Sequence, residues 1–257
     1  MPARNDCALT HTGNVRTNNE DAFLAEPTLK LWVVADGMGG HEAGEVASAI
    51  TIKAINKSIE QGKNLSDAIQ NAHHDVLDGG LKGIGPAGMG STVVAVHCAD
   101  SRYQVGWVGD SRAYLWTRHG EHKGDLQLIT TDHSYVQMLI DAGAITEEEA
   151  DSHPDKNVIT QCLGSLDLAD VKVDVIEGEW QTNQWIVLCS DGLTDELQDS
   201  QISAILANCQ TAEDAANALL REALHAGGRD NTTVIVLGKP EQQKTVWQKI
   251  KTWLRAG

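Results

Sequence analysis

Apolar or turn-flanked runs in this 257-residue chain repeatedly end on, or start from, an acidic residue. Leu-Trp-Val-Val-Ala leads into Asp36-Gly37, Val-Gly-Trp-Val-Gly into Asp110, and Trp-Ile-Val-Leu-Cys-Ser into Asp191-Gly192. Asp230-Asn231 stands directly before Thr-Thr-Val-Ile-Val-Leu, and Asn19-Glu20-Asp21 before Ala-Phe-Leu-Ala. Any one Asp-Gly reads as a turn, because glycine tolerates positive φ and aspartate hydrogen-bonds its own backbone. The set is harder to read that way. Gathering several half-buried carboxylates costs desolvation and mutual repulsion, and a divalent cation removes both costs. Oxygen-only donors select hard ions such as Mg²⁺ or Mn²⁺. No His-x₃-His pair or Cys/His cluster supports zinc, and the ten histidines read as scattered surface or capping residues.

Other hydrolytic chemistries lack their residues. No cysteine is followed at the sixth position by arginine, which disfavours a cysteinyl-phosphate intermediate. There is no GxSxG elbow and no GxxxxGK[ST] loop. Composition narrows the field further. A formal charge of −16 repels nucleic acid at long range. The five cysteines are never paired as CxxC and suit reduced thiols. Residues 1–12 show no basic region followed by an apolar run, and no stretch approaches the roughly 20 apolar residues of a membrane span, so the expected location is cytoplasmic.

These acidic positions need a scaffold, and strand-like runs supply it at 31–35, 91–97, 103–108, 113–117, 127–130, 172–176, 185–189 and 232–237. Helical spacing covers 44–61, 65–77, 200–207 and 211–226, each with an apolar stripe fit to lie on a sheet. Strands cluster and helices come in consecutive groups, which favours antiparallel sheet with helices outside over βαβ alternation. Residues 132–165 read as helix and loop inserted between strands, with Asp132 and His133 as caps. After Pro240 comes a locally basic tail, 241–257, with Val246, Trp247, Ile250, Trp253 and Leu254 on one helical face. It reads either as packing on the protein's own body or as docking on a partner or membrane surface.

Several strings together resemble the bacterial-type protein phosphatase 2C family across about residues 7–238. In order they are Gly13-Asn14-Val15-Arg16 with Asn18-Asn19-Glu20-Asp21; Val34-Ala35-Asp36-Gly37-Met38-Gly39-Gly40-His41; Gly88-Met89-Gly90-Ser91-Thr92; Val108-Gly109-Asp110-Ser111-Arg112; His153-Pro154 with Asn157-Val158-Ile159 and Leu163-Gly164; Ser190-Asp191-Gly192-Leu193; and Gly228-Arg229-Asp230-Asn231-Thr232-Thr233. The resemblance implies an α/β (α+β) fold, an α-β-β-α sandwich of two mainly antiparallel sheets, forming one catalytic domain over 1–240 with a flap at 132–165. It implies hydrolysis of phosphoserine and phosphothreonine esters by direct attack of a metal-activated water, reversing Ser/Thr kinase signalling on phosphorylated protein substrates.

Roles follow from the same resemblance. Asp36 would bridge two Mn²⁺ or Mg²⁺ ions, one completed by the Gly37 carbonyl and Glu20, the other by Asp191 and Asp230. Asp21 would act through metal-bound water, and Asp110 with Asp191 would hold a third ion. Arg16 matches the family's phosphate-binding arginine, whose planar fork suits two phosphoryl oxygens. Eukaryotic relatives carry histidine where this chain has Met38, and a thioether cannot donate a proton. His41 is the candidate acid for the leaving alkoxide, with a metal-bound water as the alternative. A catalytically dead binding module on the same fold would be expected to lose metal carboxylates, and this chain keeps all six. A monomer is expected.

Overall fold

The computed structural model describes residues 5–40, 43–150 and 152–240. His41 and the tail 241–257 lie outside the described residues. In chain order the first elements are β1 (Asp6–His11), β2 (Asp21–Glu26), β3 (Leu31–Met38), α1 (Ala43–Glu60) and α2 (Leu65–Leu81). Then come β4 (Gly90–Ser91), β5 (Val93–Ala99), β6 (Arg102–Val108), β7 (Arg112–Gly120), β8 (Lys123–Leu128), α3 (Tyr135–Asp141) and α4 (Glu147–Ala150). The chain continues through β9 (Asp174–Glu179), β10 (Gln184–Cys189), α5 (Asp191–Thr194), α6 (Asp199–Asn208), α7 (Ala212–Ala226) and β11 (Thr232–Gly238).

One sheet has the order β1-β11-β10-β7-β8 and the other β2-β3-β5-β6-β9, with β4 attached to β3. The pairings are antiparallel throughout. Alternation along the strands explains why the central ones read as continuous apolar runs. In β3, Leu31 and Val33 face α1 and α2, while Trp32 and Val34 face the other sheet. In β11, Val234 and Val236 lie under α6 and α7, while Ile235 and Leu237 point inward. Both faces of these strands are covered, so neither needs polar residues. The result is helix, sheet, sheet, helix, the expected sandwich. Among the described residues no helix is long and apolar enough to cross a membrane.

Differences from the sequence reading fall at the edges. β1 and β2, with sequences DCALTH and DAFLAE, are edge strands of their respective sheets and mostly half-exposed. They need no apolar run and were not expected. The expected strand at 91–97 is split, because Thr92 steps out between β4 and β5 to exchange hydrogen bonds with Asp36. The strands expected at 127–130 and 172–176 shift to 123–128 and 174–179.

In the flap, Asp132 and His133 are not caps. Ser134 caps α3, accepting from the Gln137 N–H at 3.2 Å. Asp132 instead takes a fork of bonds from Arg112 Nε and Nη2, the shortest 2.7 Å. His133 Nδ1 accepts from the Gly109 N–H at 3.1 Å, which leaves Nε2–H to donate to Asp174 Oδ2 at 3.1 Å. His73, expected at the surface, is fully buried and takes the Gly164 N–H on Nδ1 at 3.1 Å.

Candidate metal centre

Asp21 begins β2 and Asp36 lies near the end of β3, and the antiparallel register sets them directly opposite each other. Like charges so placed repel. Asp21 is buried, and its Oδ2 accepts from Ser190 Oγ at 2.8 Å and Thr233 Oγ1 at 2.7 Å. These two hydroxyls belong to the other sheet, so the bonds pin the sheets together at this end of the sandwich. Asp21 Oδ1 is buried without a hydrogen-bond partner. Burial pushes the Asp21 carboxyl up to about 7, the hydroxyls pull it down, and Asp191 and Asp230 push it up again.

Asp36 is held by its backbone: its N–H donates to Thr92 Oγ1 at 3.1 Å, and its carbonyl accepts from the Thr92 N–H at 2.8 Å. The next residue allows the first turn of α1 to approach. A Cβ on Gly37 would sit 2.0 Å from the Gly44 carbonyl oxygen, and one on Gly44 would sit 2.8 Å from Glu20 Cδ. Two side-chain-free positions therefore let the Glu20 carboxyl, the Gly37 backbone and α1 meet. Ser48 Oγ and the Gly37 N–H both donate to the Glu20 carbonyl, at 2.6 and 3.2 Å.

Asp191 opens α5 just after β10. It meets Asp230 because Gly192 carries no side chain: a Cβ there would lie 1.9 Å from the Asn231 carbonyl oxygen. Asn231 is the knot of this corner. Its Oδ1 accepts from the Glu20 N–H at 2.7 Å, and its Nδ2 donates to the carbonyls of Thr12 at 2.9 Å and Asn18 at 2.8 Å. The sequence reading saw Asn231, Ser190 and Thr233 only as parts of strings; their roles as fasteners needed the fold.

The expected carboxylates converge electrostatically. Burial, then Asp21, Asp191 and Asp110, hold the Asp36 carboxyl well above the usual range. Burial, then Asp191 and Asp132, push Asp110 up to about 8. Burial pushes Asp191 up to about 6, and the contact between Asp36 and Asp191 raises the first and lowers the second. Arg16 is held in its charged form chiefly by Asp230, with Glu20 and Asp191 contributing. Thus Arg16, Glu20, Asp21, Asp36, Gly37, Asp110, Asp191 and Asp230 all gather at one edge of the sandwich.

A divalent cation fits this corner. Asp21 Oδ1 and Asp191 Oδ1 are buried carboxylate oxygens with no hydrogen-bond partner, a costly state for an anion. The donors are hard oxygens, as Mg²⁺ and Mn²⁺ require. Among the described residues no group of three His, Cys, Asp or Glu side chains is arranged so as to hold a metal ion as it stands. Burial and mutual repulsion hold the Asp21, Asp36, Asp110 and Asp191 carboxyls above their ordinary range, and Arg16 lies against Asp230.

Known proteins resemble this chain over most of its length. The protein phosphatase 2C family model matches residues 11–226. The serine/threonine phosphatase stp of Listeria monocytogenes is 33% identical over 248 residues, covering 91% of this chain and 96% of its own. The crystal structure of the Mycobacterium tuberculosis serine/threonine phosphatase PstP/Ppp superposes with a TM-score of 0.81 at 36% identity, over 91% of this chain and 98% of that one. A structure of the PstP catalytic domain in complex with two manganese ions superposes with a TM-score of 0.78 at 34% identity, over 90% and 96% of the two chains. The chain belongs to the protein phosphatase 2C family and is a metal-dependent serine/threonine protein phosphatase.

Proposed function

We propose that Glu20, Asp21, Asp36, Asp110, Asp191 and Asp230, with the Gly37 carbonyl, hold the divalent ions, and that Arg16 binds the phosphoryl group of a phosphoserine or phosphothreonine protein. The observation that carries this reading is the pair of orphaned carboxylate oxygens, Asp21 Oδ1 and Asp191 Oδ1, in a cluster that also contains Asp36 and Asp110. Asp36 would be shared between two ions, Glu20 and the Gly37 carbonyl serving one, Asp191 and Asp230 the other. Asp21 would act through water, its Oδ2 being already committed to Ser190 and Thr233. Asp110 and Asp191 would serve a third ion. When bound, such ions acidify coordinated water and neutralise phosphoryl charge.

The chain's own residues supply orientation. Arg16, with its side chain 53% exposed, can turn its guanidinium from Asp230 to two phosphoryl oxygens. The Ser190 and Thr233 hydroxyls fix the Asp21 carboxylate, and Asn231 fixes the loop that carries Glu20. Met38 pairs with Gly90 beside Asp36 and offers no proton. His41 keeps its proposed part as an acid for the leaving alkoxide; it lies outside the described residues.

Manganese is proposed over magnesium as the working ion, since the PstP catalytic domain was solved with two manganese ions. A single catalytic domain ending near residue 240, a monomer acting in the cytoplasm, and a tail 241–257 that packs on the protein's own body or docks a partner or membrane surface complete the reading. The test is Mn²⁺-dependent hydrolysis of p-nitrophenyl phosphate and a phosphothreonine peptide by wild type and Asp191→Ala. Wild-type turnover that survives exhaustive chelation, or an Asp191→Ala enzyme as fast as wild type, overturns the assignment.

A further inference from the structure

The flap is tied to the body at its base, along its returning limb, and at its end, where Leu163 pairs with Ser91 and Gln161 with Lys172. At its base, His133 is held between Gly109 and Asp174 and Asp132 is gripped by Arg112, while the Ser134–Ile159 bridge and the Tyr135 N–H bond to the Val158 carbonyl at 2.7 Å join the flap's two limbs to each other. On its returning limb, Lys156 Nζ lies 2.9 Å from Asp195 Oδ1, and Asn157 Nδ2 reaches Asp195 Oδ2 at 3.4 Å. The helix between these fastenings, α3, buries none of its residues, and Met138 and Val158 are about half exposed. Apolar packing therefore does little to fix α3, although Ala150 and Leu163 are buried further along the flap. The outer part of the flap rests largely on polar ties.

Asp195 is attached to the metal corner. It caps α5, and its N–H donates to the Asp191 carbonyl at 2.7 Å, so it sits one helical turn from a proposed metal ligand. Its carbonyl accepts from Arg229 Nη2 at 3.3 Å, and Arg229 in turn grips the buried Glu196 carboxylate. The backbone of this turn is thus rigidly seated, while its carboxylate is met by two flap side chains.

We propose that Lys156 is a positioning residue that sets the flap, through Asp195, at the height at which it receives a phosphoprotein substrate. The proposal rests on the assignment of Asp191 to the metal centre, since only then does the flap stand beside the reacting phosphate. Lys156 and Asp195 are each about one-third exposed, and pairs of that kind are weak enough to part when a bulky substrate enters. A small aryl phosphate has nothing to contact beyond the phosphate pocket and does not depend on the flap. Lys156 therefore governs discrimination between protein and small substrates rather than the hydrolytic step.

The experiment compares Lys156→Gln, Asp195→Asn, the double variant and Lys156→Arg in the full chain. Hydrogen–deuterium exchange is read over residues 152–160 in metal-free protein, with KM for a phosphothreonine peptide and kcat for p-nitrophenyl phosphate measured with Mn²⁺. Each single neutral substitution is expected to speed exchange about threefold to fivefold, with the double no faster than either single, because both remove the same tie. Lys156→Gln is expected to raise the peptide KM about threefold to tenfold with the p-nitrophenyl phosphate kcat unchanged, and Lys156→Arg to restore both exchange and KM. Unchanged exchange in Lys156→Gln, additive effects in the double, or a parallel fall in p-nitrophenyl phosphate turnover would overturn it. Failure of the Asp191 assignment shows separately, as metal-dependent turnover that survives in Asp191→Ala.

Discussion

Arg16 Nη2 lies 2.6 Å from Asp230 Oδ2, so the proposed phosphate binder and a proposed metal ligand balance each other's charge. A cation on Asp230 takes over the balancing charge and leaves the guanidinium for the substrate. Arg16→Ala is accordingly expected to lower kcat/KM by about tenfold to a hundredfold, about 1.4–2.8 kcal/mol of lost transition-state binding. Its Mn²⁺ affinity should not fall, because the competing cation is gone. Steady-state kinetics with calorimetric Mn²⁺ titration checks both parts, and a large loss of Mn²⁺ affinity would show that Arg16 supports the metal site instead.

Asp21 and Asp110 carry raised carboxyl values, about 7 and about 8, chiefly through burial, and Asp36 is shifted the same way. The folded metal-free protein therefore holds protons that the unfolded chain, with ordinary carboxylates near 4, has already released. With more protons bound when folded, stability falls as pH rises from about 4 to about 8. Bound Mn²⁺ takes the place of those protons, so the decline should flatten. Thermal melts of chelated protein at pH 5, 6.5 and 8, repeated with saturating Mn²⁺, read this directly; a metal-free melting temperature that rises across the same range would refute it.

Asp36→Asn removes a buried carboxylate that is pushed up by Asp21, Asp191 and Asp110. It should stabilise the metal-free protein at pH 8 by about 1–2 kcal/mol while reducing Mn²⁺-dependent turnover by at least roughly a thousandfold, the signature of a site that trades stability for function. Urea unfolding paired with activity measurement is the check. A variant less stable than wild type at pH 8 without metal would mean that Asp36 is structurally supported rather than strained.

Gly192→Ala tests the steric contact that brings Asp191 to Asp230. The added methyl would sit 1.9 Å from the Asn231 carbonyl oxygen, and backbone cannot yield cheaply there. A destabilisation of about 2–4 kcal/mol is expected, with Mn²⁺ affinity reduced in whatever folds. Wild-type stability and Mn²⁺ binding in this variant would show that the two loops are not locked together.

The order of apolar runs and helical stripes sufficed for the sandwich, because central strands covered on both faces run apolar at consecutive positions, as residues 31–35 of β3 and 234–237 of β11 do. Edge strands escape that rule, which is why β1 and β2 were missed and why 91–97 was read as one strand across Thr92. The acidic residues of the site were legible for a different reason: each stands at the end of such a run or just before a strand, where chain reversal leaves a side chain at the rim. Their partners were not legible. That Ser190 and Thr233 reach across to Asp21, that Asn231 ties its own turn to the β1–β2 loop, that Arg16 sits on Asp230, and that Lys156 meets Asp195 all join residues far apart in the chain. Sequence reveals which groups are available at the strand ends; only the packing of one sheet on the other decides which of them meet.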